Sequence, residues 1–244
     1  MTKRFFSSSP IRGKTAVLTG PEAHHLKEVM RIPVDDTVTL FDGSGEEFSC
    51  RVVRIDRNQI ELTVIAKGQI ERELTRPLIV AAAMPKRERM KWMVEKLTEL
   101  GVSRLVPLKT ARSIVTPGTA QWERLQRVVI EASKQCGRNH LMEITPTMKW
   151  DPFLDTIAPT CKGCFGDCQG MPFQQWIRTT TSDEPAPSTA LAVAIGPEGG
   201  LTPEEQNLAQ QHGWTAVSLG SRTLRIETAA VTWAAACAVT DKDC

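Results

Sequence analysis

The chain has 244 residues, 41% of them apolar, which suffices for one large or two smaller domains with packed cores. Its basic start, MTKRFFSSSPIRGK, lacks the apolar run of a signal peptide, and the apolar tract Ala229 to Val239 is too short to span a bilayer, so a cytoplasmic protein with no membrane partner is expected. The net charge of +2 hides an asymmetry: 12 Lys/Arg against 5 Asp/Glu from Met84 to His140, but 6 against 12 from Leu141 to Cys244, and the cationic stretch suggests a polyanion-binding face.

From Ala16 to Gln69, short β-like runs alternate with turn clusters at Asp42–Gly45 and Asp56–Gln59. Phe48 to Ile55 and Ile60 to Ala66 alternate apolar with polar residues, predicting antiparallel strands in a small sheet or barrel. After the charged linker Glu71–Pro77 the period changes. Leu78 to Ala83 reads as a strand buried on both faces. Arg87 to Leu100 reads as a helix with Met90, Met93, Val94, Leu97 and Leu100 on one stripe and Gly101 at its C-terminal cap. A strand over Arg104–Leu108 and a helix over Gln121–Cys136 follow, the latter with Trp122, Leu125, Val129, Ala132 and Cys136 inward.

Seven cysteines, an odd number, fit reduced thiols better than a disulfide framework. Cys161, Cys164 and Cys168 lie among Gly163, Gly166 and Gly170. Zinc wants a fourth ligand and no histidine stands close by, so this segment reads as a variable loop and no metal is expected. Thr179 to Thr189 reads as a further loop. Ala190 to Ile195 is a predicted strand, Thr202 to His212 a helix, Thr215 to Leu219 a strand and Ser221 to Val239 a last helix. The alternation implies an α/β domain with a mostly parallel sheet.

In such a sheet, ligands bind beyond the carboxyl ends of the strands. Two loops there are unusual: Gly196-Pro197-Glu198-Gly199-Gly200, and Leu219 to Arg225. The first is followed by Thr202-Pro203-Glu204-Glu205, a capping box with proline at the first helical position. Its carboxylates complement the helix end that a phosphate would need, which disfavours a polyphosphate and leaves room for an uncharged or cationic nucleoside-like ligand.

IGPEGGLTPEE and LGSRTLRIETAAV closely resemble the signature of the bacterial small-subunit (16S) ribosomal RNA uracil-N3 methyltransferases, a family of the knotted SPOUT superfamily. The resemblance continues through RFF at Arg4–Phe6, HHLKEVMR at His24–Arg31, FDGSGEE at Phe41–Glu47, KWMVEKLTELGVSRLVPL at Lys91–Leu108 and EASKQCGR at Glu131–Arg138. Ile226 and Thr223 depart from the usual threonine and isoleucine.

The resemblance implies a PUA-like β-barrel RNA-binding domain over residues 1–74 and, over 75–244, a SPOUT-type α/β domain whose C-terminal part forms a trefoil knot. It implies S-adenosylmethionine as cofactor, held by Leu108, Thr110, Ile195, Gly196, Pro197, Glu198, Gly199, Gly200, Leu219, Gly220, Thr223 and Leu224. It implies a homodimer, with Ala229–Ala238 a candidate for part of the interface, and methylation at N3 of one uridine (position 1498 in the usual numbering) of the 16S rRNA of the small ribosomal subunit, not of DNA.

Methyl transfer to nitrogen needs no metal but does need removal of the N3 proton and stabilisation of the resulting anion. Arg138, Arg222 and Arg225 are candidates for the stabilising cation and Glu198 for the proton acceptor or an orienting group, while Glu227 reads as structural. RNA contacts are expected from Arg4, His24, His25, Arg31, Lys86, Arg87, Arg89, Lys91, Lys134 and Arg138, the histidine pair being equally readable as packed in the barrel.

Overall fold

The computed structural model describes residues 3–182 and 189–241. The chain divides into two units, Met1–Arg72 with Ile130–Leu141, and Glu73–Val129 with Met142–Cys244.

In the first unit, β1 (Arg4–Phe6), β2 (Thr15–Thr19), α1 (Gly20–His24), a π-helical turn over His25–Val29, β3 (Thr37–Phe41), β4 (Glu46–Ile55) and β5 (Gln59–Gln69) follow in order. The sheet order is β1-β3-β4-β5-β2, antiparallel except for the β1–β3 pair. The predicted alternation is real. Phe48, Cys50 and Val52 of β4 point inward and Arg51 and Val53 outward, so one face meets Phe5, Leu18, Leu26, Leu40, Ile60 and Leu62 in a core and the other meets water.

The second unit contains β6 (Leu78–Ala83), α2 (Glu88–Glu99), β7 (Arg104–Lys109), α3 (Thr119–Cys136, whose last residues belong to the first unit), β8 (Glu143–Ile144), β9 (Met148–Lys149), α4 (Trp150–Ile157), β10 (Cys161–Pro172), α5 (Phe173–Ser182), β11 (Ala190–Ile195), α6 (Pro203–Gln211), β12 (Thr215–Ser218) and α7 (Ile226–Val239). Its sheet runs β12-β10-β11-β6-β7-β8, with β9 also on β7, and every pair is parallel.

All of β6 is buried, as its unbroken apolar run required. The stripe of α2 buries Met90, Met93, Val94 and Leu97, Leu100 being half-buried at the cap, and Gly101 ends the helix at φ +82°. In α3, Leu125, Val129 and Ala132 are buried, while Trp122 and Cys136 are half-buried. On one side of the sheet Trp150, Phe153 and Leu154 of α4 pack with Trp214. Elsewhere Trp233 of α7 meets Phe173 and Trp176 edge-on.

Three expectations are corrected. The Cys161–Cys168 segment is not a loop but the first part of β10, which lies between β11 and β12. Its glycines suggested turns but serve packing: a Cβ at Gly163 would overlap the Trp214 ring, and one at Gly170 the Ala216–Val217 backbone. The last helix begins at Ile226 rather than Ser221, because residues 221–225 stay irregular in the loop after β12. Thr179 to Ser182 belong to α5, and residues 183–188 of that expected loop lie outside the described residues. Among the described residues no helix is long and apolar enough to cross a membrane.

Candidate active site

The parallel strands β11 and β12 deliver their following loops to one cleft of about 240 Å³. Ile195, Gly196, Pro197, Glu198 and Gly200 come from the first loop, and Leu219, Gly220, Arg222, Thr223 and Leu224 from the second. Gly200 closes a tight turn by donating its N–H to the Pro197 carbonyl at 2.8 Å, with φ +71°, and Gly220 has φ +122°. At both glycines an added Cβ would meet no protein atom within 4 Å, although both line the cleft. A side chain there would take up ligand space rather than core space.

The capping box of α6 forms as expected: Thr202 Oγ1 accepts from the Glu205 N–H at 3.2 Å, and Glu205 Oε2 accepts from the Thr202 N–H at 2.9 Å. Glu205 Oε1 also accepts from the Ala111 N–H at 2.7 Å. This helix end is therefore satisfied by its own carboxylates, in keeping with a ligand that is not a polyphosphate.

Sequence reasoning missed the third wall, made by Gly166, Asp167 and Cys168 at the bulge of β10, where its pairing with β12 jumps from Gly166 to Met171. The Asp167 carboxylate accepts from the Gln169 N–H at 2.8 Å and from Gln206 Nε2 at 3.0 Å, and Gln206 also lines the cleft. Because β10 sits between β11 and β12 and its pairing with β11 stops at Phe165, the bulge that follows opens into the same crevice, a signal available only once β10 is recognised as a strand. Trp233 of α7 also lines the cleft, a residue to which the sequence reading gave no role.

Two expected cofactor contacts stand elsewhere. Leu108 is 1% exposed within the apolar core, and Thr110 is buried with its hydroxyl 3.0 Å from Ser113 Oγ. The reason is sheet order: β6 separates β7 from β11, so the end of β7 does not reach the cleft. Gly199 faces a smaller cavity of about 100 Å³, which shares Pro197, Glu198 and Ile226 with the cleft.

Around this smaller cavity the charges are ordered. One nitrogen of Arg89, Nη1, lies 3.5 Å from Glu198 and 3.5 Å from Glu227, so the guanidinium bridges two carboxylates. Glu198 is solvent-facing, whereas Glu227, in the first turn of α7, is buried with its other oxygen unpartnered among the described residues. Arg112 donates to the Gly199 carbonyl and braces the loop. Of the expected arginines, Arg222 lines the cleft, and Arg225 is the exposed N-cap residue of α7, outside it.

Among the expected RNA contacts, Lys86, Arg87 and Lys91 are exposed and Arg89 is half-buried. In the first unit His24 and Arg31 are exposed, while His25 packs edge-on against Phe5 at 5.8 Å, which divides the histidine pair. Three cations there are turned inward. Arg4 is 6% exposed, ion-paired to Glu47, bonded to Asn139 and to the Arg138 carbonyl, and stacked 4.5 Å from the Phe41 ring. Lys134 is buried against Glu22 at 2.9 Å and Glu131 at 3.1 Å, and Arg138 is 3% exposed. Arg4 and Lys134 are thus committed to partners within the unit, because a buried cation persists only when paired. Burial pushes the Glu47 carboxyl upward, but hydrogen bonds and charge from Arg4 and Arg72 outweigh it, holding Glu47 below its ordinary range.

Comparison with known proteins adds the family. A family model described as an RNA methyltransferase domain matches residues 72–238, and one described as an RNA methyltransferase PUA domain matches residues 18–65. Ribosomal RNA small subunit methyltransferase E of Synechocystis is 30% identical over 218 residues, covering 88% of this chain and 70% of the relative. The chain belongs to the ribosomal RNA small subunit methyltransferase E family. The Bacillus subtilis methyltransferase E is 29% identical over 236 residues, 94% of this chain and 90% of the relative. A Neisseria gonorrhoeae methyltransferase E crystallised with S-adenosylmethionine superposes with a TM-score of 0.85 at 28% identity, covering 97% of this chain and 96% of that one. A Legionella pneumophila structure holding the same cofactor gives a TM-score of 0.86 at 28% identity, with 98% of each chain covered. The fold class is the one that the resemblance implied, a SPOUT-type α/β domain with a C-terminal trefoil knot, preceded by a small PUA-like β-barrel.

Proposed function

We propose that the protein is a cytoplasmic homodimer that methylates N3 of one uridine in the 16S rRNA of the small ribosomal subunit, using S-adenosylmethionine bound in the β10–β11–β12 cleft. The observation that carries this reading is the cleft itself, walled by Ile195–Glu198 and Gly200 and by Leu219, Gly220 and Arg222–Leu224, and left open at Gly200 and Gly220, in a chain of this family. When bound, the cofactor supplies a methyl group on a sulfonium that becomes a neutral thioether as the methyl leaves.

The residues fit such a ligand. Asp167 and Glu198 bring two carboxylates to the cleft, which suits a sulfonium and an ammonium, and Arg222 suits the carboxylate at the amino-acid end. The backbone of the two glycine turns approaches the ligand closely, and Trp233 and Leu201 exclude water. Uracil N3 holds its proton at neutral pH, so a nearby acceptor is required, and Glu198 takes that role from its place between the two cavities.

His24, Arg31, Arg87 and Lys91, exposed and cationic or protonatable, contact RNA phosphates. In α7, Ala230, Trp233, Ala234 and Cys237 are spent on the protomer's interior, which leaves Thr228, Thr232 and Val239 (82% exposed) for a partner subunit.

The test is incubation of unmodified small subunits with labelled S-adenosylmethionine, followed by mass mapping of the RNA. Label on N3 of a single uridine is the expected result. Label absent from RNA, or carried by another base, overturns the reading.

A further inference from the structure

Resting on that reading, we propose that the smaller cavity is the pocket for the target uracil once it is flipped out of the RNA, with Lys86 and Arg89 as the donors that flank Glu198 and read the base. Chemistry on a base inside folded RNA requires taking it out of its stack into a fitted pocket. This cavity, about 100 Å³, is less than half the size of the cofactor cleft, and the two share Pro197 and Glu198. A base seated there has its reacting edge where the two cavities join.

The reacting edge of uracil is acceptor, donor, acceptor: O2, N3–H, O4. A carboxylate between two cations is its complement. Glu198 is that carboxylate, Arg89 lies 3.5 Å from it, and Lys86 lines the same cavity. Cytosine fails on both counts, since its N3 carries no proton and its exocyclic amine would face a cation. Proton transfer balances within the site: the N3–H bond breaks, the proton passes to Glu198, and the electron pair stays on N3 with the charge spread over O2 and O4. Lys86, Arg89 and Arg112 carry three positive charges around the cavity against two carboxylates, Glu198 and Glu227, so the pocket gains a match for that anion only when it forms. Glu227, buried and otherwise half-partnered, is a positioning residue that anchors Arg89.

Two further features agree. Arg87, beside Lys86, holds φ +45° and ψ −116°, a strained backbone for a non-glycine residue of the kind that gathers at functional turns. At the rim, Ile114 is 81% exposed, an apolar side chain ready to stack against a base or fill the gap it leaves.

The experiment measures single-turnover methylation of saturating, unmodified small subunits by wild type, Arg89→Met, Arg89→Lys and Lys86→Met across a pH series, together with calorimetric affinity for S-adenosylmethionine. Arg89→Met is expected to lower the saturated rate about 100-fold near neutral pH and Lys86→Met about tenfold, with Arg89→Lys partly restored. Cofactor affinity should stay within about threefold, and the Arg89→Met rate should climb about tenfold per pH unit, because without that cation the site depends on the fraction of uracil already ionised at N3. Saturated rates like wild type with only a weaker half-saturation and a flatter salt dependence would make these residues phosphate contacts and overturn the pocket. Cofactor affinity falling in step with rate, on an unchanged pH profile, would also overturn it. If wild type itself labels no uridine, the functional reading has failed; if wild type labels a uridine and the variants match it, only the pocket assignment has.

Discussion

Strand β10 and the loop after β11 are both rich in glycine, and Gly163 and Gly170 of the strand differ sharply from Gly200 of the loop. At Gly163 and Gly170 the space of a Cβ is already filled, by the Trp214 ring and by the backbone of β12. At Gly200, in the loop, the space is empty and the backbone is left-handed at φ +71°. Glycine is demanded at Gly163 and Gly170 by the protein's own packing, and at Gly200 by a left-handed turn whose Cβ space lies open to the cleft. A count of glycines cannot separate the two cases. Strand pairing does: Cys161–Phe165 sit in parallel register with Ala190–Ala194, which no loop could maintain.

Substitution at Gly170 should have the largest effect. An alanine there would push against the main chain of β12, which cannot rotate aside as a side chain can, and a loss of about 3 kcal/mol or more in urea unfolding is expected. A loss below about 1 kcal/mol would show that β12 gives way and that packing does not fix this glycine. Gly200→Ala should do the reverse. The left-handed backbone costs about 1–2 kcal/mol of stability, but the larger signature is a loss of S-adenosylmethionine affinity of about tenfold, because the methyl group enters ligand space. Affinity retained in a folded Gly200→Ala protein would leave this glycine a turn residue and nothing more.

Much of the fold was readable because one physical requirement governed each segment. The unbroken apolar run of β6, the alternation in β4 and the stripe of α2 each announce how much of an element is buried. The capping box at Thr202 and Glu205 is readable for the same reason, being local chemistry with a fixed spacing. The site was readable where it is built from strand-end loops and unreadable where tertiary placement decides. Leu108 looked equivalent to Ile195 as a strand end, but β6 stands between them. Arg4 looked like a surface cation three residues from the chain start, yet it lies over Phe41 with Glu47 and Asn139 as partners, at a sequence separation no pattern encodes. Arg89 sat within a helix start full of charges, and only the fold brings Glu198 and Glu227 to it.

Strand β10 itself passes from core to site along its own length. Burial pushes the Cys161 thiol up to about 11 and that of Cys164 well above its ordinary value, and both donate to carbonyls, of Ile157 at 3.1 Å and Ala192 at 3.6 Å. Cys168, in the bulge beyond the stretch paired with β11, is exposed and lines the cleft. At pH 8 a thiol titrating near 11 is thiolate in only about one molecule in a thousand, so iodoacetamide should modify Cys168 well before Cys161 or Cys164, as peptide mass mapping would show. Raising the pH toward 11 should speed Cys161 by about tenfold per unit, since its deprotonated fraction rises in that proportion. S-Adenosylmethionine at ten times its Kd should slow Cys168 alone, by about tenfold, because the shielded fraction follows occupancy. Equal rates at all three thiols would mean that β10 opens as a unit and has no fixed core half. An unprotected Cys168 would mean that the cofactor does not reach the third wall, and the contribution of β10 to the site would then end at the glycines.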